Sequence, residues 1–119
     1  MKPKILIVDD SMTSRMLFKA HMPKDIPCDI FEASDTASAL LMADEKLPDL
    51  VVMDYNMPQK NGVEIAKAIM DTGLQAKFVL LTANTQKAVV EPAMALGFAL
   101  IVEKPINGDK IRTMLEGLL

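Results

Sequence analysis

Four consecutive apolar residues at positions 50–53, Leu-Val-Val-Met, are followed directly by Asp54. A run without alternating polar residues predicts a strand buried on both faces, as in the middle of a parallel sheet. Pro58 cannot donate to a sheet ladder, so the strand is expected to end near Asp54. An acid at the carboxyl end of a central strand faces the crevice where open α/β sheets bind ligands. The sequence therefore predicts a functional site around Asp54.

Other apolar runs alternate with segments of helical periodicity along the chain. The strands are predicted at residues 5–8, 28–33, 50–54, 77–82 and 99–103. Alternation of strands and helices implies right-handed crossovers and a parallel sheet with helices on both faces. The first, third and fourth runs are the most apolar, which suits the strand order 2-1-3-4-5 with the second and fifth strands at the edges. The predicted fold class is α/β, a flavodoxin-like doubly wound five-stranded parallel sheet with five helices.

Each predicted helix has an apolar stripe that is expected to face the sheet. Gly73 fits a left-handed position after the third helix, and the fourth helix, over residues 86–96, is expected to end at Gly97 and to be weakened or kinked by Pro92. The candidate N-caps are Ser11, then Ser34 or Asp35, and finally Asn107 or Asp109. The predicted inward residues are Met12, Met16, Leu17 and Ala20; Ala37, Leu40, Leu41 and Leu47; Val63, Ala66, Ile69 and Met70; and Ile111, Met114, Leu115 and Leu118.

Composition narrows the class of protein. With 119 residues, half of them apolar, the chain has the size of one domain, and we expect a single domain over residues 1–119 with no output domain. A net charge of -3 gives no basic footprint for nucleic acid. No run approaches the roughly 18 apolar residues of a membrane span, and no secretory signal is recognised. Cys28 is alone, which excludes an internal disulfide. We expect a cytoplasmic protein that is a monomer or weak dimer.

Charged and polar residues follow four of the five predicted strands. Asp9 and Asp10 follow the first, Asp54 ends the third, Thr82 ends the fourth and Lys104 follows the fifth. In a parallel sheet these ends share one edge. Two carboxylates 4–5 Å apart repel by about 4 kcal/mol at an effective dielectric near 20, so a proton, Lys104 or a divalent cation must relieve the repulsion. Carboxylate ligands with open positions for water and phosphate favour Mg²⁺.

The same residues suit a phosphoryl group. A cation and Lys104 can each neutralise phosphoryl oxygens, and the Thr82 hydroxyl can donate a hydrogen bond. Asp54 can then act as a carboxylate nucleophile and form an aspartyl phosphate.

With these residues in place, the chain resembles response-regulator receiver domains of two-component signalling, of the single-domain chemotaxis type, over essentially all of its length. The motifs that carry the resemblance are Asp9-Asp10, Asp54 with Met57-Pro58 and Gly62, Thr82-Ala83 and Lys104-Pro105. Each motif is short, and the resemblance depends on all of them occurring in order at the predicted strand ends.

The resemblance implies roles for the site residues. Asp54 would be phosphorylated by a histidine kinase or by a small phosphodonor. Asp10 and Asp54 would bind Mg²⁺ directly, together with the backbone carbonyl of Asn56, and Asp9 would act largely through water. Slow hydrolysis of the phosphoryl group would be aided by residues near Asn56 and Asn84.

The resemblance also implies how a signal would leave the site. Lys104 would pair with the phosphoryl group, Thr82 would move to bond it, and the Lys104-Pro105 peptide would be cis. Ile101 departs from the family pattern, which has Tyr or Phe there, so helix and loop rearrangement after Thr82 would have to carry the signal. A downstream protein would bind the face formed by the fourth helix, fifth strand and fifth helix. Candidates for that face, each equally suited to core packing, are Val89, Val90, Met94, Ile101 and Met114.

Other functions stay open at this point. The main alternative is a Mg²⁺-dependent phosphohydrolase with an aspartyl-phosphate intermediate. Haloacid-dehalogenase-type enzymes have a second acid two residues after the nucleophile, where this chain has Asn56 after Asp54 and Ser11 after Asp9. A phosphate sink without a target is a third possibility. A flavin or nucleotide carrier is disfavoured, because the loop after the first strand is acidic. His21 is interpreted as a helix-end residue.

Overall fold

A computed structural model describes residues 2–119 of the protein. Five parallel strands form one sheet in the order β2-β1-β3-β4-β5, and five helices alternate with them. The strands are β1 Lys4–Val8, β2 Asp29–Ala33, β3 Leu50–Asp54, β4 Lys77–Thr82 and β5 Leu100–Glu103. The helices are α1 Met12–Ala20, α2 Thr36–Lys46, α3 Gly62–Met70, α4 Lys87–Leu96 and α5 Gly108–Leu118. The predicted fold class and strand order are confirmed.

Strand β3 lies at the centre of the sheet, and all of its residues are buried. Its side chains alternate between two cores, with Val51 and Met53 in one and Leu50 and Val52 in the other. The first core is closed by α2, α3 and α4, and the second by α1 and α5. A strand covered on both faces needs apolar residues at every position, which explains the uninterrupted run in the sequence.

The prediction for the inner face of α1 is wrong. Met12, Met16 and Leu17 are 67%, 58% and 51% exposed, Ala20 is also exposed, and the buried residue of the helix is Phe18. Apolar residues lie on the face of α1 that carries Phe18 and on the face that carries Met12 and Met16, so periodicity alone could not decide which face packs on the sheet. Burial of one aromatic ring removes a large apolar area from water and fixes the rotation of the helix.

The prediction for α2 is also largely wrong. The helix packs through two small residues, Ala39 and Ala43, which are buried, while Leu41 is 56% and Leu47 is 62% exposed. Ala37 is exposed and Leu40 is only partly buried. Alanines at the contact allow the helix axis to approach its neighbours closely, which a stripe of leucines would prevent.

The remaining helices are closer to prediction. In α3, Ala66 and Ile69 are buried as predicted, Val63 and Met70 are half-buried, and Ile65, which the stripe omitted, is fully buried. In α5, three of the four predicted residues are buried and the fourth is half-buried; the buried residues are Ile111, Met114 and Leu115. The N-caps are Ser11, Asp35, Asn61 and Asn107, each accepting a backbone N–H in its helix.

Helix α4 differs from the others at its start. Its N-cap residue, Gln86, makes no side-chain hydrogen bond to the helix, and Pro92 lies inside it. The helix ends, as predicted, at Gly97 in the left-handed region with φ of 109°. None of the helices in residues 2–119 has both the length and the apolar character needed to cross a membrane.

Candidate functional site

Asp54 is the last residue of β3 and lies at the carboxyl edge of the sheet, between β1 and β4. The sheet register pairs it with Leu81. The next amide, that of Tyr55, donates to the Leu81 carbonyl over 2.9 Å, which fixes the backbone beyond the strand. The residue is 4% exposed, so a reactant can approach it only from the edge of the sheet.

Asp9 and Asp10 follow β1, the neighbouring strand. The amide of Asp9 donates to the Ala33 carbonyl over 3.0 Å, and its Oδ1 accepts from the Ser11 amide over 2.9 Å. Ser11 in turn caps α1 by accepting from the Ser14 amide over 3.2 Å. Asp9 is therefore buried and held by its neighbours, whereas Asp10 is exposed at the edge.

The three acids form one cluster. A carboxylate oxygen from each of Asp9, Asp10 and Asp54 lies within 4.8 Å of the others. Burial raises the pKa of the Asp9 carboxyl, and the charges of Asp54 and Asp10 act in the same direction, against the Ser11 amide and Lys104. An all-oxygen donor set that concentrates negative charge in this way fits a hard divalent cation such as Mg²⁺.

Lys104 reaches the cluster from the end of β5. Its amide donates to the Thr82 carbonyl over 2.9 Å, which ties it to the end of β4. Its Nζ lies 2.6 Å from Asp54 Oδ1, and its side chain is 29% exposed. The Lys104-Pro105 peptide is cis, as the resemblance implies. The lysine therefore partly compensates the negative charge of the site from the side opposite Asp10.

Thr82 ends β4 and is 1% exposed. Its hydroxyl donates to the Asn84 carbonyl over 3.1 Å and accepts from the Asn84 amide over 3.0 Å. A hydroxyl has one proton to donate. In this structure that proton is used within the loop after β4, so the side chain is close to the site without bonding to its acids.

Gly62 begins α3 and packs directly on the end of β3. A Cβ at this position would overlap the Asp54 carbonyl oxygen and lie 2.8 Å from Met53 Cγ. The Gly62 amide donates to the Tyr55 carbonyl over 2.9 Å, which closes the loop between β3 and α3. Asn56 is exposed within this loop. It follows Asp54 by two positions in the chain.

Sequence reasoning missed Arg15. Its Nη1 donates to the Asp9 carbonyl over 2.6 Å and its Nε donates to Glu32 Oε1 over 2.9 Å. Lys19 binds the other oxygen of Glu32 over 2.8 Å. Arg15 lies on α1 and Glu32 on the edge strand β2 that follows it. The spacing of residues in the sequence does not predict contacts between a helix and the next strand. The sequence shows only that an arginine lies early in α1; the rotation of the helix, which the sequence does not give, decides that it faces β1 and β2.

Two other polar residues have ordinary roles. His21 caps the carboxyl end of α1, and its Nδ1 lies 2.8 Å from the Leu17 carbonyl oxygen, which confirms the helix-end interpretation. Cys28 is partly buried beside the second core, and burial raises the pKa of its thiol.

A cleft of about 380 Å³ adjoins the acids, between α1 and the loop after β5. Asp9 and Lys104 lie on its wall next to the cluster. The rest of its lining is mainly apolar and includes Leu17, Phe18, Ala83, Pro105 and Ile106. A molecule bound there would lie directly beside the Lys104–Asp54 pair.

The predicted partner face has mixed character. Val89 and Met114 are buried, which assigns them to core packing, while Val90 and Ile101 are half-buried. Met94 is 53% exposed. A shallow groove of about 390 Å³ runs between β5 and α5 on this side, lined in part by Ile101 and Met114.

Comparisons with known proteins agree with this geometry. The family model of the response regulator receiver domain matches residues 5–116. The chemotaxis protein CheY of Bacillus subtilis (strain 168) is 33% identical over 111 residues, which cover 93% of this chain and 92% of that protein. A probable chemotaxis protein CheY of Rhizobium etli is 31% identical over 119 residues, covering 98% of this chain and 92% of that protein. A solved structure of the Vibrio cholerae chemotaxis protein CheY4 is similar with a TM-score of 0.91 at 26% identity, covering 100% of both chains.

These matches extend over the strands that carry the acids, the hydroxyl and the lysine. They agree with the resemblance drawn from the short motifs and with the flavodoxin-like fold. The chain belongs to the response regulator receiver domain family.

Proposed function

We propose that this protein is a stand-alone response regulator, in which Asp54 accepts a phosphoryl group from a histidine kinase or a small phosphodonor in a Mg²⁺-dependent reaction. The observation that supports this most directly is the juxtaposition at Asp54. Lys104 Nζ lies 2.6 Å from its carboxylate, and oxygens of Asp9 and Asp10 lie within 4.8 Å of one of its own. Residues far apart in the chain thus surround one buried carboxylate with the charges that phosphoryl transfer requires.

The transfer step needs a nucleophile, charge neutralisation and a leaving group. An oxygen of Asp54 attacks the phosphorus, and the N–P bond of the phosphohistidine breaks. The imidazole nitrogen keeps the electron pair of that bond and takes a proton. Lys104, already paired with Asp54, is placed to follow the negative charge onto a phosphoryl oxygen.

The acids suit the cation that receiver domains generally use at this acidic pocket. Asp10, Asp54 and the carbonyl of Asn56 would hold Mg²⁺, and Asp9 would act largely through water. When bound, the cation neutralises phosphoryl oxygens as negative charge gathers on them. The assignment is supported by the geometry, because a carboxylate oxygen from each of Asp9, Asp10 and Asp54 lies within 4.8 Å of the others, and a cation relieves the repulsion between them.

The switch would begin at Thr82. Phosphorylation adds about -1.5 to -2 charge, which favours any hydrogen-bond donor that can reach the phosphoryl oxygens. To donate there, Thr82 must release the Asn84 carbonyl, so the loop after β4 must rearrange. Ile101 has no hydroxyl and no ring, so this loop and the start of α4 would carry the change without an aromatic rotamer switch.

Membership of the family implies histidine kinases and downstream proteins as partners in general. We place the downstream target on the α4-β5-α5 face, where Met94 is exposed on α4, the helix that follows the responding loop. The phosphodonor protein would approach along α1, because exposed Met12, Met16 and Leu17 flank the acid pair on that side. Chemotaxis or a related process in the cytoplasm is the setting we propose, with residues 1–119 acting as one receiver domain whose output is a separate protein.

The phosphohydrolase alternative is not favoured. The match to the response regulator receiver domain family supports a phosphoacceptor role over that of a turnover enzyme. Asn56 occupies the position of the second acid that such enzymes use. Release of the phosphoryl group by slow hydrolysis near Asn56 and Asn84 is part of the proposed switch.

The proposal is tested by phosphorylation of the purified protein. With Mg²⁺ and acetyl phosphate, intact-mass spectrometry should show one added phosphate that hydroxylamine removes, and Asp54→Asn should abolish it because the nucleophile is lost. The matched control is Asp49→Asn, at the opposite end of the same strand, where the carboxylate accepts the Lys4 amide. Persistent phosphorylation of the Asp54 variant would refute the assignment, and rapid turnover of small phosphomonoesters would favour the hydrolase.

A further inference from the structure

Arg15 links three parts of the protein, namely α1, β2 and the end of β1, through the hydrogen bonds of one side chain. It belongs to α1, its Nε donates to Glu32 of β2, and its Nη1 donates to the carbonyl of Asp9 at the end of β1. The Arg15 side chain is only 13% exposed, so these bonds lie largely out of water. Hydrogen bonds from a charged donor are stronger than neutral ones, and a planar guanidinium fixes the direction of both.

The carbonyl that Arg15 binds belongs to the peptide between Asp9 and Asp10. The orientation of that peptide sets where both side chains leave the backbone. Asp9 has further constraints, because its amide bonds Ala33 and its Oδ1 accepts from Ser11. Within residues 2–119, the Asp10 side chain accepts no hydrogen bond, so only the backbone directs it toward Asp54.

We propose that Arg15, oriented by Glu32, is a positioning residue that holds the Asp9-Asp10 peptide for cation binding. The inference rests on the proposed function, since it requires a cation at the acid cluster. Arg15 touches neither the cation position nor the reacting atoms; it acts through the backbone of Asp9. Outer contacts of this kind commonly change metal affinity by about 10- to 100-fold when they are removed.

The experiment uses Arg15→Lys, which keeps the positive charge but cannot make both bonds. Mg²⁺ is titrated into the isotope-labelled protein, and binding is followed by the amide resonances of Asp10 and Ser11. We expect the dissociation constant to rise about tenfold. The amide shift of Asp10 should also differ from that of the natural protein before Mg²⁺ is added, because the peptide is no longer held.

The matched control is Arg112→Lys. Arg112 binds Asp25 through two nitrogens, at 3.0 and 2.6 Å, and lies on α5 outside the site. This control removes a two-bond arginine contact at an exposed position, so it should lose less thermal stability than Arg15→Lys and keep its Mg²⁺ affinity. Equal weakening of Mg²⁺ binding in both variants would refute a positioning role for Arg15.

Glu32→Gln gives a second test that leaves Arg15 in place. It should weaken Mg²⁺ binding less than Arg15→Lys, and the double variant should bind no more weakly than Arg15→Lys alone, because both changes act on one chain of contacts. If Arg15→Lys does not fold, unchanged Mg²⁺ affinity in Glu32→Gln overturns the inference.

Mg²⁺ binding by the natural protein tests the proposed function separately from the positioning role of Arg15. Absence of Mg²⁺ binding in the natural protein would refute the proposed function itself. Binding in the natural protein with equal affinity in Arg15→Lys would refute only the positioning role.

Discussion

The residues around the Asp54 carboxylate come from two sides of the carboxyl edge of the sheet, and the backbone of the two sides is held differently. The ends of β1 and β3 with the loops that follow them, which we call the anchored side, carry the acids. The end of β4 with the loop that follows it and the start of α4, which we call the open side, carries Thr82. The two sides share one sheet edge, and they differ in how many contacts hold their backbone.

The anchored side is fixed at several points. Asp9 is held through its amide, its carboxylate and its carbonyl, by Ala33, Ser11 and Arg15. Gly62 packs so closely against the Asp54 backbone that there is no space for a Cβ at position 62. Closely packed positions of this kind resist displacement, which suits groups that must hold a cation in a fixed geometry.

The open side is held by fewer contacts. Residues 83–88 are all exposed. The loop depends on the Thr82–Asn84 bonds and on the Asn84 side chain, which accepts the Gln86 amide over 2.9 Å. Helix α4 then starts without a side-chain cap and contains Pro92. Segments with few buried contacts open at low free-energy cost. We therefore expect the open side to be the one that rearranges when Asp54 is phosphorylated.

The largest expected effect tests the anchored side. Gly62→Ala should lower the free energy of unfolding by about 3 kcal/mol, because the new methyl group overlaps the Asp54 carbonyl and forces the strand end to shift. Urea denaturation measures the change. The control is Gly108→Ala, also at the first position of a helix, where the nearest atom is the His21 carbonyl oxygen at 3.8 Å. Equal effects in the two variants would contradict close packing at Gly62.

A smaller effect of opposite sign is expected on the open side. Pro92→Ala should raise the free energy of unfolding by about 2 kcal/mol, since proline inside a helix removes a backbone donor and crowds the preceding turn. Amide exchange in α4 should slow at the same time. Pro58→Ala, in the loop after β3, serves as the control without a helix to restore. A loss of stability in Pro92→Ala would show that α4 is not weakened by its proline.

The smallest effect concerns the charge held by the anchored side. The pKa of the Asp9 carboxyl is raised above its usual 3.8, chiefly by burial. Folding therefore favours its protonated form, and the natural protein loses this stability as pH rises through the raised pKa. Without Mg²⁺, Asp9→Asn should be the more stable protein at neutral pH, and the advantage should shrink as pH falls toward 3.8.

Thermal unfolding of the natural protein and of Asp9→Asn across this pH range measures the difference in stability. The contributions of the other carboxyl groups are shared by both proteins and largely cancel. Added Mg²⁺ should reduce the advantage of the Asn variant, because the cation neutralises the carboxylates that repel each other. A stability difference between Asp9→Asn and the natural protein that is constant with pH would contradict a raised pKa of Asp9 in the folded state.

The residues of the sheet and its polar edge could be predicted because their causes are local or topological. A buried central strand needs an unbroken apolar run, and parallel strands bring their carboxyl ends to one edge, which together placed Asp54 near Asp9 and Lys104. The rotation of a helix has a different cause. Met16 and Phe18 compete for the same contact with the sheet, and their relative burial depends on packing that spacing alone does not express.

The same limit applies to the connections of the site. Arg15 was missed because its partner Glu32 is joined to it only by the fold. The bonds of Thr82 to Asn84 were missed for a related reason, since a hydroxyl at a strand end has several acceptors within reach and the sequence does not rank them.

Helix α1 contributes little apolar surface to the core, since Phe18 is its one buried residue and its exposed side carries Met12, Met16 and Leu17. Substitutions on that outer side therefore cost little folding free energy. On the proposed approach of a phosphodonor protein along α1, changes at these positions would alter which phosphodonor is recognised while the sheet and the acids remain as they are. The exposed apolar face of α1, which helical periodicity wrongly assigned to the core, would thus be the surface at which related regulators differ in the phosphodonor they recognise.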